Sequence, residues 1–168
     1  MRWKEEIGRS TLFLCPESCY LNAEIENGSR WNGLWLQLYA LRSSANWGIG
    51  DLGDLLELAR LVGPRGIRIL GLSPLHAPFL MRPDFKSPYS PSSRLYKNAM
   101  FVSIPLLPEF AASAKARSLF ESSEFQLYLA RTRPEERIDY AGVYQWKMRF
   151  FEILFDEFIL NPPEDFAE

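Results

Sequence analysis

Two apolar runs of strand length, Leu34 to Leu38 (LWLQL) and Ile67 to Leu72 (IRILGL), bracket a segment with helical periodicity. No other feature constrains the fold as much. In the bracketed segment Leu52, Leu55, Leu56, Ala59 and Val62 recur on one helical face. Asp51 is placed to cap the start of this helix, and Gly63-Pro64 to stop it, through glycine's missing side chain and proline's missing amide donor. The second strand is broken at Ser73-Pro74, since proline cannot donate to a strand ladder. Strand, helix and strand in this order imply parallel strands joined by a crossover, hence an α/β architecture with its functional loops at the carboxyl ends of the strands. Two such loops follow, Ala40 to Gly50 and Ser73 to about Asn98.

The first loop runs into NWGIGDLGD, Asn46 to Asp54, whose Gly48, Gly50 and Gly53 satisfy the G-x-G-x-x-G spacing of a dinucleotide cradle. The surroundings argue against that role. A cradle follows its strand directly, and an acidic residue at the end of the next strand grips the ribose. Here eight residues separate Tyr39 from Gly48, the second strand ends in Leu72, Ser73 and Pro74, and Asp51 sets a negative charge where phosphate would approach. The glycines are better read as turn and close-packing residues. Trp47 in the same loop either lines a cleft or packs beneath the loop, packing being the commoner use of such a ring.

In the second loop Pro88 and Pro91 bracket Tyr89 and restrict the backbone on both sides, so the ring stands at a fixed height. A tyrosine held in this way meets the apolar face of a sugar or anchors the loop with its hydroxyl wet. His76, just past the second strand, is the only histidine; as a lone histidine it reads as a hydrogen-bonded structural residue or a site residue.

Beyond Phe101 to Ile104 the pattern is helical, clearest at Ser118 to Ala130 and Val143 to Leu160. The last stretch carries a wide stripe, with Val143, Trp146, Phe150, Leu154 and Phe158 on one side and Phe151, Phe155 and Ile159 beside it. Such a stripe asks for more partners than an edge helix has, unless it packs across a small core of its own.

The 19 basic and 21 acidic residues are mixed along the chain, so no basic stripe favours nucleic acid or a membrane surface. No apolar run reaches a membrane span or a signal-peptide core, and a cytoplasmic location is expected. Cys15 and Cys19 are the only cysteines, and with one histidine they assemble neither a four-ligand zinc site nor a disulfide framework; no metal is expected.

Taken together, LQLYALRSSANWGIGDLGDL, GLSPLHA, SPYSPSSRLYKN and IDYAGVYQWKM, in this order, resemble the bacterial amylomaltases, the 4-alpha-glucanotransferases of the α-amylase clan. The resemblance runs from about Cys19 to Phe158. It implies a partial (β/α)8 TIM barrel, first strands and helices plus an inserted helical segment, truncated before barrel closure, since closure takes about 250 residues. Residues 1–30 would lead into the barrel, and 31–168 would form its first part with the second-strand loop and helical insertion.

The activity so implied is retaining transfer of α-1,4-glucan segments between maltooligosaccharides, without cofactor. A carboxylate nucleophile and a second carboxyl about 5 Å away work in turn. By the resemblance these carboxylates lie in later strands, so this chain holds no catalytic residue and is expected to be inactive alone; the alternative is a non-catalytic product that binds glucan weakly or serves as an interaction module. Tyr89 would stack under the ring just before the cleaved bond, with Ser87 as a polar contact, and Trp47 and His76 complete the substrate-binding set. Protein partners are not implied. Two departures from the family's strings are Ser73 in place of Asn and Ser103 in place of Asp, the latter bearing on the hydrogen bonding of its loop.

Overall fold

The computed structural model describes residues 11–79, 82, 87–160, 162 and 166. They fall in two compact units, 1–31 and 32–168. Within the first unit, α1 (Ala23–Glu26) is a single turn whose start is capped by Asn22, the side chain accepting from Glu24 N at 2.9 Å. Trp31 Nε1 donates to Glu24 Oε2 at 3.1 Å, and Cys15 and Cys19 are exposed free thiols. Residues 1–10 of the segment expected to lead into a barrel lie outside the described residues.

The second unit opens with β1 (Asn32–Leu36), α2 (Leu52–Val62) and β2 (Ile67–Leu72). β1 and β2 pair in parallel, Leu34 opposite Leu70 and Leu36 opposite Leu72, as the crossover requires. This is an α/β fold. The first strand ends at Leu36 and not at Leu38, because residues 38–40 turn into a 3-10 turn that sinks Leu38 completely into the interior. α2 ends at Val62, yet Gly63 keeps right-handed helical geometry and Pro64 sits inside a further 3-10 turn. The reversal comes at Gly66, whose φ of 87° needs a glycine.

The stretch read as one long loop, 73–98, contains a second small sheet in which β3 (His76–Ala77) pairs antiparallel with β4 (Ser93–Lys97). Residues 80, 81 and 83–86 of that loop lie outside the described residues. Two 3-10 turns, 99–101 and 104–106, lead into α3 (Pro108–Ala112), α4 (Ala114–Glu121), α5 (Ser123–Thr132) and α6 (Tyr140–Leu160). The helix expected over 118–130 is two helices. Ser122 divides them, its hydroxyl donating to Leu119 O at 2.7 Å and accepting from Phe125 N at 3.3 Å.

Two apolar clusters form the core, and α6 serves both. One gathers Trp47, Ile104, Phe125, Leu129, Trp146, Phe150 and Leu154; the other Leu38, Ile49, Met100, Phe101 and Val143. Trp47 and Ile49 insert into different clusters, so the glycine loop is the seam between them. The far edge of the α6 stripe is uncovered, with Phe155 61 % and Ile159 58 % exposed beside an apolar groove of about 520 Å³. Trp35 on β1 is 83 % exposed, so the parallel pair is likewise only partly covered. Among the described residues no helix is long and apolar enough to cross a membrane.

Candidate functional site

Residues 46–51 of the glycine loop are all buried, which decides how NWGIGDLGD is used. Gly48 adopts φ 91°, and a Cβ there would stand 2.5 Å from the Thr132 methyl. A Cβ on Gly50 would run into the Leu38 carbonyl oxygen, and one on Gly53 would stand 2.5 Å from Ser103 Oγ. The three amides are also committed: Gly48 N donates to Asn46 Oδ1 at 3.0 Å, Gly50 N to Tyr39 O at 3.1 Å and Gly53 N to Asp51 Oδ1 at 2.8 Å. A phosphate would find no free amide of these three. The glycines are the turn and close-packing residues expected of them.

Asp51 caps α2 and forms a reciprocal box with Asp54, whose Oδ2 accepts from Asp51 N at 2.9 Å. Ser43 donates to the other oxygen of Asp54 at 2.5 Å. Burial raises the Asp54 carboxyl above its ordinary range, against the hydrogen bonds from Ser43 and Asp51 N that lower it.

Into this acidic corner α6 sends Lys147, a charged side chain only 1 % exposed. Its Nζ lies 3.2 Å from Asp51 Oδ2, 2.6 Å from Met100 O and 2.7 Å from Val102 O. Three acceptors match the three donors of an ammonium. Burial lowers the Lys147 pKa, and the Asp51 charge opposes that shift. Nothing in the sequence motifs gives Lys147 a role, although its spacing from Val143, Phe150 and Leu154 puts it on the buried face of α6. A lysine there needs a buried acceptor, and the capping aspartate supplies it. Just past the end of α5, Arg133 Nε donates to Asn46 O at 3.0 Å. Ser103, the departure from Asp, lies against the first turn of α2, where its carbonyl accepts from Leu106 N at 3.0 Å.

The four residues expected to meet sugar are not brought to one place. Tyr89 is 69 % exposed on a turn in which its amide donates to Ser87 Oγ at 3.3 Å and Ser90 N to Ser87 O at 3.2 Å. His76 is half-buried in β3 opposite Lys97, and among the described residues its Nδ1 is enclosed without a hydrogen-bond partner. The end of the Tyr89 loop is tied to β3 through Ser92, whose Oγ donates to Ala77 O at 3.0 Å and Pro78 O at 2.9 Å. Trp47 stands apart. At 2 % exposure, with its ring centroid 4.7 Å from those of Phe125 and Phe150, it packs beneath its loop and offers no face to a cleft.

The sequence profile of the 4-alpha-glucanotransferases matches residues 36–167, which takes in the glycine loop, the Tyr89 turn and the Lys147 network. The chain belongs to the 4-alpha-glucanotransferase family. A 4-alpha-glucanotransferase of Haemophilus influenzae is 37 % identical over 150 residues, 89 % of this chain and 21 % of that protein. One of Mycobacterium tuberculosis is 39 % identical over 89 residues, 49 % of this chain and 12 % of that protein. The crystal structure of an amylomaltase from Corynebacterium glutamicum superposes with a TM-score of 0.63 at 29 % identity, over 74 % of this chain and 18 % of that one. The chain thus spans about a fifth of the length of the 4-alpha-glucanotransferase from Haemophilus influenzae, at 21 %.

Proposed function

We propose that this chain supplies the opening strand-helix-strand unit, the sugar-facing second loop and a helical back-plate of a cytoplasmic 4-alpha-glucanotransferase. The complete enzyme moves α-1,4-glucan segments between maltooligosaccharides by double displacement. The observation that carries the reading is Tyr89, 69 % exposed on the Ser87-Pro88-Tyr89 turn inside residues 36–167, the stretch that the family profile matches. Its ring is the platform for a glucose face, the Ser87 hydroxyl beside it is a polar contact, and His76, in the strand to which the loop is tied through Ser92, is assigned a further polar contact to the sugar. Trp47 contributes by packing under the first loop.

Exposed Trp35 and the bare edge of α6 support a larger (β/α)8 barrel, with 1–30 leading into it and 31–168 forming its first part. The buried carboxylates Asp51 and Asp54 are engaged by helix capping, Lys147 and Ser43, and neither is open to a glycosidic bond. Neither is assigned to the chemistry: we place the nucleophile and acid/base, as the family resemblance implies, in later strands of the barrel, and give this polypeptide the binding of glucan without its cleavage.

Incubating the 168-residue chain with maltotriose tests this division. Neither glucose nor longer maltodextrins are expected. Measurable disproportionation would overturn it.

A further inference from the structure

Lys147 is a buried charge whose bonds tie three separate segments together. An apolar side chain of similar volume would fill the α6 stripe, and exchanging a buried ion pair for apolar groups is often neutral or stabilising. What an ammonium adds is direction. Its donors fix the carbonyls of Met100 and Val102, in and just past the 3-10 turn that follows β4, to the carboxylate that starts α2.

From Met100 the hydrogen bonds continue toward the second loop. Asn98 Oδ1 accepts from Met100 N at 3.0 Å, and Asn98 N donates to Leu75 O at 2.9 Å. Next come the pairs His76 with Lys97 and Ala77 with Ser93, and then the Ser92 bonds to Ala77 O and Pro78 O. Ser92 lies two residues past Ser90, which closes the turn that carries Tyr89.

We infer that Lys147 is a positioning residue for the Tyr89 turn, anchoring the segment that follows β4 to the first turn of α2 so that the β3–β4 pair holds residues 87–92 in place. The functional meaning of this anchor rests on the glucan reading of Tyr89, whereas the anchor itself rests on the bonds just described.

The test is residue-resolved amide exchange on the full chain. Replacing Asp51→Asn together with Lys147→Met keeps a helix cap and fills the stripe while removing the anchor. Amides of residues 92–98 are expected to exchange at least tenfold faster, with those of α5 (Ser123–Thr132) at wild-type rates. Unchanged exchange at 92–98, or equal acceleration in α5, would overturn the inference, the second result marking a purely structural lysine. Asn98→Ala cuts the next link without disturbing the buried charge and is expected to speed the same amides; wild-type exchange there would equally overturn it. Should the double variant not fold, Asn98→Ala decides alone. Tyr89→Ala separates the two readings: it is expected to abolish maltoheptaose binding and leave exchange at 92–98 unchanged. Exchange that responds to the anchor in a chain that binds no maltoheptaose would uphold the anchor and sink the glucan reading.

Discussion

The Lys147 ammonium lies 3.2 Å from the Asp51 carboxylate, both side chains buried and 96 residues apart in sequence. Breaking one side of such a pair strands the other charge in the interior. Lys147→Met alone is expected to cost about 3–5 kcal/mol in urea unfolding. Adding Asp51→Asn removes the stranded carboxylate and keeps the cap, so the double variant is expected nearer to wild type than the single one. Costs that simply add would show that the two groups do not act as a pair.

Three glycines should respond to alanine in a fixed order. Gly63 has φ −54° and open space around its Cβ position, and crowding against the ring of Pro64 opposes the gain from a less flexible unfolded chain, so Gly63→Ala is expected to be neutral to within about 0.5 kcal/mol. Gly66→Ala meets only its left-handed φ of 87°, a cost of about 1 kcal/mol. Gly48→Ala adds a collision with Thr132 to a φ of 91° and is expected to lose about 2 kcal/mol or more. Thermal unfolding measures the order, and a tolerated Gly48→Ala would contradict the packing account of the loop.

Alkaline stability follows from Tyr128. Burial pushes its phenol up to about 12, with the Asp139 charge adding to the shift. In the unfolded chain the phenol titrates near 10. Between those values the folded state keeps a proton that the unfolded state loses, so stability falls as pH rises through the window, by up to about 3 kcal/mol. Tyr140, raised by burial, acts in the same sense. Lys147 acts oppositely: its lowered pKa makes stability rise with pH until its ordinary value of 10.5 is passed. The decline should therefore be seen from about pH 10.5 to 12 and be shallower in Tyr128→Phe. An identical slope in that variant would exclude Tyr128 as the source.

How far the sequence foretold this structure depends on how local each cause is. β2 and α2 fall where expected because periodicity and end signals coincide, Asp51 opening the helix and Gly63-Pro64 closing its regular part. β3 and β4 were hidden in a long loop, since a two-residue strand and SRLYK show no apolar alternation. Leu38 continues an apolar run yet leaves the strand, because burial in the core outweighs one more ladder position. In the candidate site, the prolines around Tyr89 mark an exposed ring through local backbone restriction alone. The Lys147 contacts join residues distant in the chain, and nothing local to Asp51 or Met100 announces them.

On the function proposed above, the Tyr89 turn receives α-1,4-glucan. Titrating the isotopically labelled chain with maltoheptaose and following its amide and aromatic NMR signals tests this most directly. Shifts concentrated at Ser87, Tyr89, Ser90 and His76, absent in Tyr89→Ala, are the expected result. Signals that stay fixed at millimolar maltoheptaose, or shifts that persist in Tyr89→Ala, would contradict it.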